Sequence, residues 1–105
     1  MTPTALTRDQ AITRLRSIEP DVLALGVRRL ALFGSVLRNE ARPDSDVDVL
    51  VEFDPDLKSF DRFLALAELL ERALERRVEL VTTEALSPFI GPHILAEATD
   101  VLWAA

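Results

Sequence analysis

The sequence predicts one α/β (α+β) domain over residues 1–105, with a small mixed β-sheet and helices packed on one face. Three observations predict this fold class. A chain of 105 residues is long enough for one hydrophobic core but too short for a second domain beside it. Hydrophobic residues make up 49% and charged residues 29%, which is typical of a globular protein. Helix-like and strand-like apolar patterns alternate along the chain, without repeats or linkers between them.

The N-terminal part of the chain predicts a capped helix followed by a strand. Thr7-Arg-Asp-Gln10 has the spacing of a capping box, so a helix should begin there and continue to Glu19. Pro20 should end this helix, with a turn up to Gly26. The run Val27–Phe33 predicts a first strand, because it is short, apolar in its second half and bounded by glycines.

A short helical turn and the clearest strand of the chain come next. Gly34-Ser35 opens the turn, which we expect over Val36 to Ala41. Residues Asp46 to Phe53 alternate apolar side chains with mostly polar ones, as a strand with one core face does. The apolar positions of this alternation are Val47, Val49, Val51 and Phe53.

The second half of the chain predicts a long helix, a third strand and a C-terminal segment. A helix of about 17 residues should begin at Ser59, with a core stripe at helical spacing. The stripe consists of Phe60, Phe63, Leu64, Ala67, Leu70 and Leu74. Arg77 to Thr82 should form a third strand, with Glu79 on the face opposite Val78. From Ile94 onward we expect a short helix that continues into a strand or a tail.

Charge and composition exclude several classes of protein. The 12 Lys+Arg and 18 Asp+Glu give a net charge of -6, which argues against long DNA or RNA as a direct substrate. The sequence contains no cysteine, which excludes disulfides and thiolate metal sites and favours a reducing compartment. No apolar stretch approaches the roughly 20 residues that cross a bilayer, and no signal peptide is evident. We therefore expect a cytoplasmic protein without a membrane partner.

Asp46 and Asp48 are the first candidates for chemistry. At positions i and i+2 of a strand their carboxylates point to the same face, with Cα atoms about 6.6 Å apart. Two negative charges at that distance repel by about 2.5 kcal/mol at an effective dielectric constant of about 20. A divalent cation such as Mg²⁺ would remove this repulsion, and such a pair can serve two metal ions in group transfer. Taken alone, Asp-Val-Asp can also simply begin a solvent-facing strand.

Gly34 and Ser35 stand at the end of the preceding strand, where they could bind a phosphate. Glycine lets the main chain approach a ligand closely, and the free N–H groups of the next turn and the Ser35 hydroxyl can donate to phosphate oxygens. The alternative is an ordinary strand-to-helix turn with a serine cap. Together with the acidic pair, this dipeptide favours a site for a phosphate ligand and a metal ion.

The segment Gly34 to Val51 reads Gly-Ser-Val-Leu-Arg-Asn-Glu-Ala-Arg-Pro-Asp-Ser-Asp-Val-Asp-Val-Leu-Val. It resembles the minimal nucleotidyltransferase family of the DNA polymerase beta-like nucleotidyltransferase superfamily, and the similarity extends over roughly residues 27 to 82. The shared pattern is Gly-Ser, a basic turn, Ser-Asp-x-Asp and an apolar strand. The resemblance implies a mixed sheet flanked by helices and a nucleoside triphosphate as the nucleotide donor. The nucleotide-binding residues that it implies are Gly34, Ser35, Arg38 and Ser45.

The resemblance also implies the catalytic and metal-binding residues. Asp46 and Asp48 would hold Mg²⁺, with two ions when substrate is bound, and Glu79 would supply a third carboxylate from a following strand. Glu79 stands where Asp is more usual, so its role as general base or metal ligand stays open against that of an exposed strand residue. Asn39 replaces the usual glycine of the turn, which is mild because asparagine tolerates left-handed geometry.

Arg38 and Arg42 are the cations nearest to the acidic pair in the sequence. Arg38 is the better match to the arginine of the family, which implies that it meets triphosphate oxygens. The alternative for both arginines is solvation at the surface or pairing with Glu40 and Asp44.

Two main functional hypotheses follow from the resemblance. In the first, the protein transfers AMP from ATP to a protein hydroxyl, such as a tyrosine of a HEPN-domain ribonuclease toxin, and acts as the antitoxin in a complex with it. In the second, a catalytically weak antitoxin neutralises the toxin by binding alone, through C-terminal apolar residues. These residues are Phe89, Ile90, Leu102 and Trp103. A third possibility, transfer to a small molecule, would need a site assembled by dimerisation, so homo- and hetero-oligomers both stay open.

Overall fold

A four-stranded mixed β-sheet forms the centre of the structure, a computed structural model that describes residues 4–103. Its strands are β1 (Val27–Phe33), β2 (Val47–Phe53), β3 (Val78–Thr82) and β4 (Thr99–Trp103). The strand order is β3-β2-β1-β4; β1 is antiparallel to β2 and to β4, and β2 is parallel to β3. The predicted mixed sheet is confirmed, and the first three strands of the chain lie within one residue of their predicted bounds.

The helices cover the two faces of this sheet to different extents. They are α1 (Arg8–Ser17), α2 (Glu19–Ala24), α3 (Gly34–Leu37), α4 (Phe60–Leu74) and α5 (Gly91–Glu97), with a 3₁₀ turn at Thr83–Ala85. One face of the sheet packs on α1, α2 and α4 and forms the main core, as predicted. On the other face, Ile94 and Ala98 cover a small cluster of Ala31, Phe33 and Leu50. Part of that second face remains open, and it carries the acidic side chains of β2 and β3.

The first helix begins as predicted and ends differently. The Thr7 hydroxyl accepts a hydrogen bond from the Gln10 N–H (3.1 Å), and the Gln10 side chain accepts one from the Thr7 N–H (3.1 Å), so the capping box is confirmed. The predicted turn after Pro20 is wrong, because the chain forms α2 there. Pro20 lies in the first turn of that helix, where a missing N–H removes no helical hydrogen bond.

The short helix α3 also differs from its prediction. It begins at Gly34 and ends at Leu37, whereas Val36 to Ala41 was expected. Asn39 adopts φ 58°, a left-handed conformation that stops a helix. The preference of asparagine for this geometry, which the sequence predicted, therefore also sets the helix end.

The long helix α4 begins within one residue of its predicted start, with Ser59 as its N-cap, but buries a different face. The Ser59 hydroxyl accepts from the Arg62 N–H (3.2 Å). The fully buried positions of α4 are Leu66, Leu70 and Leu74. The prediction of Phe60 and Leu64 as core residues is wrong, since they are 73% and 45% exposed. Apolar residues surround much of this helix, so their spacing alone could not identify the face that meets the sheet.

The C-terminal segment forms α5 and then the edge strand β4, which settles the choice between strand and tail. Arg29 of β1 forms an ion pair with Asp100 of β4, and its guanidinium lies 5.7 Å from the centroid of the Trp103 ring. Leu102 is buried in the main core. Pairing with β1 therefore holds the end of α5 beside the end of β1. Within residues 4–103, no helix is both long enough and apolar enough to cross a membrane.

Candidate active site

The candidate site lies at one edge of the sheet, where β1 ends and β2 and β3 begin. Because β1 is antiparallel to β2 and β3 is parallel to β2, these three strand ends meet. Phe33 is paired with Asp48, and Asp48 is paired with Glu79. The sheet register therefore brings Gly34, Asp48 and Glu79 together from three separate parts of the sequence.

Gly34 is the point where the main chain meets the acidic side chains. Its φ of 76° lies in the left-handed region that favours glycine. A Cβ atom at this position would lie 2.9 Å from Cγ of Asp48 and would overlap its Oδ2. Both the backbone angle and the space beside Asp48 therefore require glycine, which agrees with the predicted close approach of the main chain.

Asp48 carries the strongest electrostatic perturbation of the site. The pKa of this half-buried carboxyl is raised from 3.8 to about 6, mainly by burial, and also by a hydrogen bond with Glu79 and by the charges of Glu79 and Asp46. The positive charge of Arg38 acts in the opposite direction. The predicted catalytic carboxyls thus interact with one another, and the negative charge at this edge is only partly compensated.

These carboxyls fit a hard divalent cation in chemical type. Asp46, directly before β2, shares the face of Asp48 by strand alternation. In residues 4–103, no group of three acidic, histidine or cysteine side chains stands ready in metal-binding geometry. Mg²⁺ commonly uses one or two protein carboxylates and completes its shell with water and substrate phosphate oxygens. The pair Asp46 and Asp48 fits that requirement, while Glu79 as a third ligand stays a prediction.

Arg38 and Gly34 converge on a carboxylate that the sequence did not suggest. Arg38 donates from Nη1 to Oε1 of Glu97, and the Gly34 N–H donates to Oε2 of the same side chain (3.4 Å). Arg38 also donates from Nε to Oε2 of Glu40 (3.1 Å). The hydrogen bonds that Arg38 donates, first to Glu97 and then to Glu40, raise the pKa of Arg38. Gly34 and Arg38, both predicted to bind phosphate, therefore donate to the same carboxylate, that of Glu97.

The two predicted serines occupy different environments. The Ser45 hydroxyl accepts from the Arg42 N–H (2.8 Å), and the Ser45 N–H donates to the Arg42 carbonyl (3.0 Å). Ser45 thus closes the turn directly before Asp46 and positions that residue. Ser35 is half-buried in α3, and its carbonyl accepts from the Glu40 N–H (2.8 Å). Nucleotide binding by either hydroxyl stays a prediction.

An open cavity of about 440 Å³ lies beside Asp46, between the turn before β2 and the residues before β3. Its walls consist of Pro43, Asp44, Ser45, Asp46, Arg76 and Arg77. Arg77 precedes β3 by one residue, so strand alternation gives it the face of Glu79. Asp46 is the predicted catalytic carboxyl that lines this cavity, so a substrate group there would contact Asp46.

Sequence reasoning missed Glu97 and Arg77 for a physical reason. Glu97 lies 63 residues beyond Gly34 in the chain, and only the pairing of β4 with β1 brings them together. Arg77 was expected to begin the third strand, but its place in a cavity depends on the turn that Ser45 closes. Neither residue belongs to a local motif that would have identified it.

Donors for an anion beside a cluster of carboxyls suit, in chemical type, the binding of a phosphate-containing ligand. The chain belongs to the nucleotidyltransferase domain family, whose model matches residues 9–100. The predicted resemblance to minimal nucleotidyltransferases is thereby confirmed.

Individual relatives agree with this assignment. The chain is 43% identical over 76 residues to the protein adenylyltransferase MntA of Thermococcus cleftensis, covering 72% of this chain and 76% of the relative. A solved structure assigned as a minimal nucleotidyltransferase has a TM-score of 0.69 at 36% identity, over 84% of this chain and 93% of the other. A chain from the complex of tri-AMPylated Shewanella oneidensis HEPN toxin with MNT antitoxin gives a TM-score of 0.65. At 19% identity, over 93% and 74% of the two chains, that likeness concerns the fold alone.

Proposed function

We propose that this protein transfers AMP from ATP to a hydroxyl of a partner protein, a HEPN-domain toxin, and thereby acts as its antitoxin. The observation that carries this proposal is the convergence of Gly34 N–H and Arg38 on one anionic group beside Asp48. The same two donors suit the β- and γ-phosphates of a nucleotide. The adenylyltransferase name of the Thermococcus cleftensis relative supports AMP as the transferred group.

The reaction requires positioning and charge compensation more than covalent help from the protein. The acceptor oxygen would attack the α-phosphorus, the bond to the β-phosphate oxygen would break, and pyrophosphate would leave. Gly34 and Arg38 would hold that leaving group. Asp46 and Asp48 would hold Mg²⁺, which when bound neutralises the charge that develops on the phosphates.

The proton of the acceptor hydroxyl needs a base, and Glu79 is our candidate. It is exposed on β3 and is paired with Asp48 across the sheet. In-line displacement would require the acceptor side chain to approach opposite the leaving pyrophosphate, which is the side of Asp48 on which β3 lies. A tyrosine of the partner is the acceptor that we favour.

Exposed apolar side chains support a second candidate function, in which the protein neutralises its partner by binding alone. Phe89 is 85% exposed, Ile90 is 60% exposed and Trp103 is 64% exposed. Single exposed apolar residues are common, but three of them in one terminal segment fit a partner surface. Leu102, the fourth residue proposed for this surface, is buried in the core and does not contribute.

A labelling experiment distinguishes the two functions. The protein is incubated with Mg²⁺, ATP labelled in its α-phosphate and the product of the adjacent reading frame. We expect label on the partner with wild type, and none with Asp46→Ala/Asp48→Ala. Asp56→Ala/Glu68→Ala is the matched control, because it removes two exposed carboxylates away from the site. If no label appears on the partner, and wild type and the site variant neutralise the activity of the partner equally, the result would support binding alone.

A further inference from the structure

We propose that Glu97 sets the affinity of the phosphate site, by acting as a built-in competitor for the nucleotide's polyphosphate group. Its carboxylate would leave Gly34 and Arg38 when the nucleotide binds and would return when pyrophosphate departs. This inference rests on the proposed function, since it takes Gly34 and Arg38 as phosphate donors.

The contacts of Glu97 support this role. Its two carboxylate oxygens use two different donors, Oε1 the guanidinium of Arg38 and Oε2 the N–H of Gly34. Two non-bridging oxygens of a phosphate can bind the same pair of donors in the same way. The Gly34 N–H has a single hydrogen, and the same carboxylate takes the Nη1 contact of Arg38, so a phosphate that binds both in this way must displace Glu97. The negative charges of the Glu97 carboxylate and of a phosphate at the same donors would also repel each other.

The surroundings of Glu97 favour its displacement. Glu97 is the last residue of α5, where the exposed carbonyl groups of the helix end carry partial negative charge. Its own helix therefore does not stabilise the carboxylate, and Gly34 and Arg38 provide the compensation. Its side chain is 28% exposed, so the carboxylate has a route to solvent.

Arg38 would stay in place after Glu97 leaves. The second partner of Arg38 is Glu40, two residues away, whose Oε2 accepts from Nε at 3.1 Å. Nη1, which holds Glu97, would then be free for a phosphate oxygen. Glu40 therefore acts as the positioning residue for Arg38, and Glu97 acts as the competitor.

The backbone of Glu97 is fixed although its side chain can move. Ala98 donates its N–H to the Ile94 carbonyl (2.8 Å), and the next residue, Thr99, is paired with Leu32 at the end of β1. The carboxylate thus stays close to the phosphate site at a high effective concentration. Competition of this kind weakens the binding of both ATP and pyrophosphate and hastens the release of pyrophosphate.

Binding of Mg²⁺-ATP and of Mg²⁺-pyrophosphate, measured by calorimetry on the whole protein, tests the proposal. We expect Glu97→Gln to bind both ligands about fivefold more tightly than wild type, the effect of losing one partly exposed ion pair. Glu68→Gln is the matched control, because it removes one exposed charge from α4 on the other side of the sheet. It measures how far a less negative protein attracts anions in general.

A second variant distinguishes the effect of the length of the Glu97 side chain from the effect of its charge. Glu97→Asp keeps the charge but draws the carboxylate back by one methylene group, so its affinity for both ligands should lie between those of wild type and Glu97→Gln. Equal affinities of Glu97→Gln and Glu68→Gln would overturn the proposal. Weaker binding by Glu97→Gln than by wild type would overturn it too, and would make Glu97 a positioning residue for Arg38.

The result also separates this inference from the proposed function. If wild type binds ATP and pyrophosphate but Glu97→Gln binds them no better than the control, only the competitor role fails. If neither wild type nor Glu97→Gln binds ATP or pyrophosphate, the phosphate site fails and both proposals fall together.

Discussion

Gly34 and Asp48 are in such close contact that no other residue fits at position 34 without displacing the carboxyl group. The contact follows from the pairing of Phe33 with Asp48, which places the turn after β1 beside the second residue of β2. It joins the proposed phosphate donors to the proposed metal ligands. Changes at either residue should therefore affect the other, and this coupling can be measured.

Replacement of Gly34 by alanine should destabilise the protein and remove its nucleotide transfer. The φ of 76° alone should cost about 1–2 kcal/mol with an L side chain, and overlap with Asp48 should add to that. Urea unfolding of Gly34→Ala, Asp48→Ala and the double variant gives a double-mutant cycle. We expect the double variant to be more stable than the sum of the single changes predicts. Additive effects would contradict a direct contact.

Replacement of Asp48 by asparagine should stabilise the fold while it abolishes transfer. Because burial and the neighbouring carboxyls raise the pKa of Asp48 to about 6, the folded protein holds this proton more tightly than the unfolded chain. The contribution of Asp48 to stability is therefore full below about pH 4 and is lost as the pH rises through about 6. At pH 8 the charged carboxylate opposes folding, and asparagine removes that charge.

The measurement is thermal unfolding at pH 8 and at pH 4. We expect Asp48→Asn to exceed wild type by about 1 kcal/mol at pH 8, after allowance for solvent screening of this half-buried group. The difference should nearly vanish at pH 4, where the carboxyl is protonated. Asp56→Asn, an exposed control, should show no comparable gain at pH 8. A loss of stability in Asp48→Asn at pH 8 would contradict this account.

Asn39 should be replaceable by glycine at lower cost than by alanine. Its φ of 58° is unfavourable for alanine and easy for glycine, and its Oδ1 accepts from the Arg8 N–H (2.8 Å). Both variants lose that hydrogen bond, but only Asn39→Ala gains backbone strain. We expect Asn39→Ala to be less stable than Asn39→Gly by about 1 kcal/mol in urea unfolding. Equal stability of Asn39→Ala and Asn39→Gly would show that the backbone angle at this position does not affect stability.

The sequence could predict those features that depend on short-range patterns. The alternation in β2, the capping box at Thr7 and the left-handed tolerance of Asn39 each act over a few residues, and all three are found in the structure. The exposed positions of Phe60 and Leu64 could not be predicted, because the face that α4 buries depends on its docking against the sheet.

In the candidate site, too, the sequence could predict the features set by local geometry but not those set by the packing of distant segments. Asp46 and Asp48 share one face because strand geometry alone determines it. The neighbour of Asp48 across the sheet depends on the register of β3, and the neighbour of Arg38 depends on the path of α5 and β4. Pairing with Glu40 was foreseen, whereas Glu97 came from the other end of the chain.

Catalytic activity of the site should depend on Glu79, and two substitutions test its role as the general base. If Glu79 accepts the proton of the acceptor hydroxyl, Glu79→Gln should lower the rate of AMP transfer to the partner about 100-fold or more. Glu79→Asp should retain much more activity, because it keeps a carboxylate on the same face of β3. The affinity for Mg²⁺-ATP should change little in either variant, since Glu79 lies across Asp48 from Gly34 and Arg38. Initial rates of label transfer and calorimetric binding of ATP, measured on the same preparations, check both expectations. Full activity of Glu79→Gln would exclude a general base at this position and leave the acceptor proton to solvent.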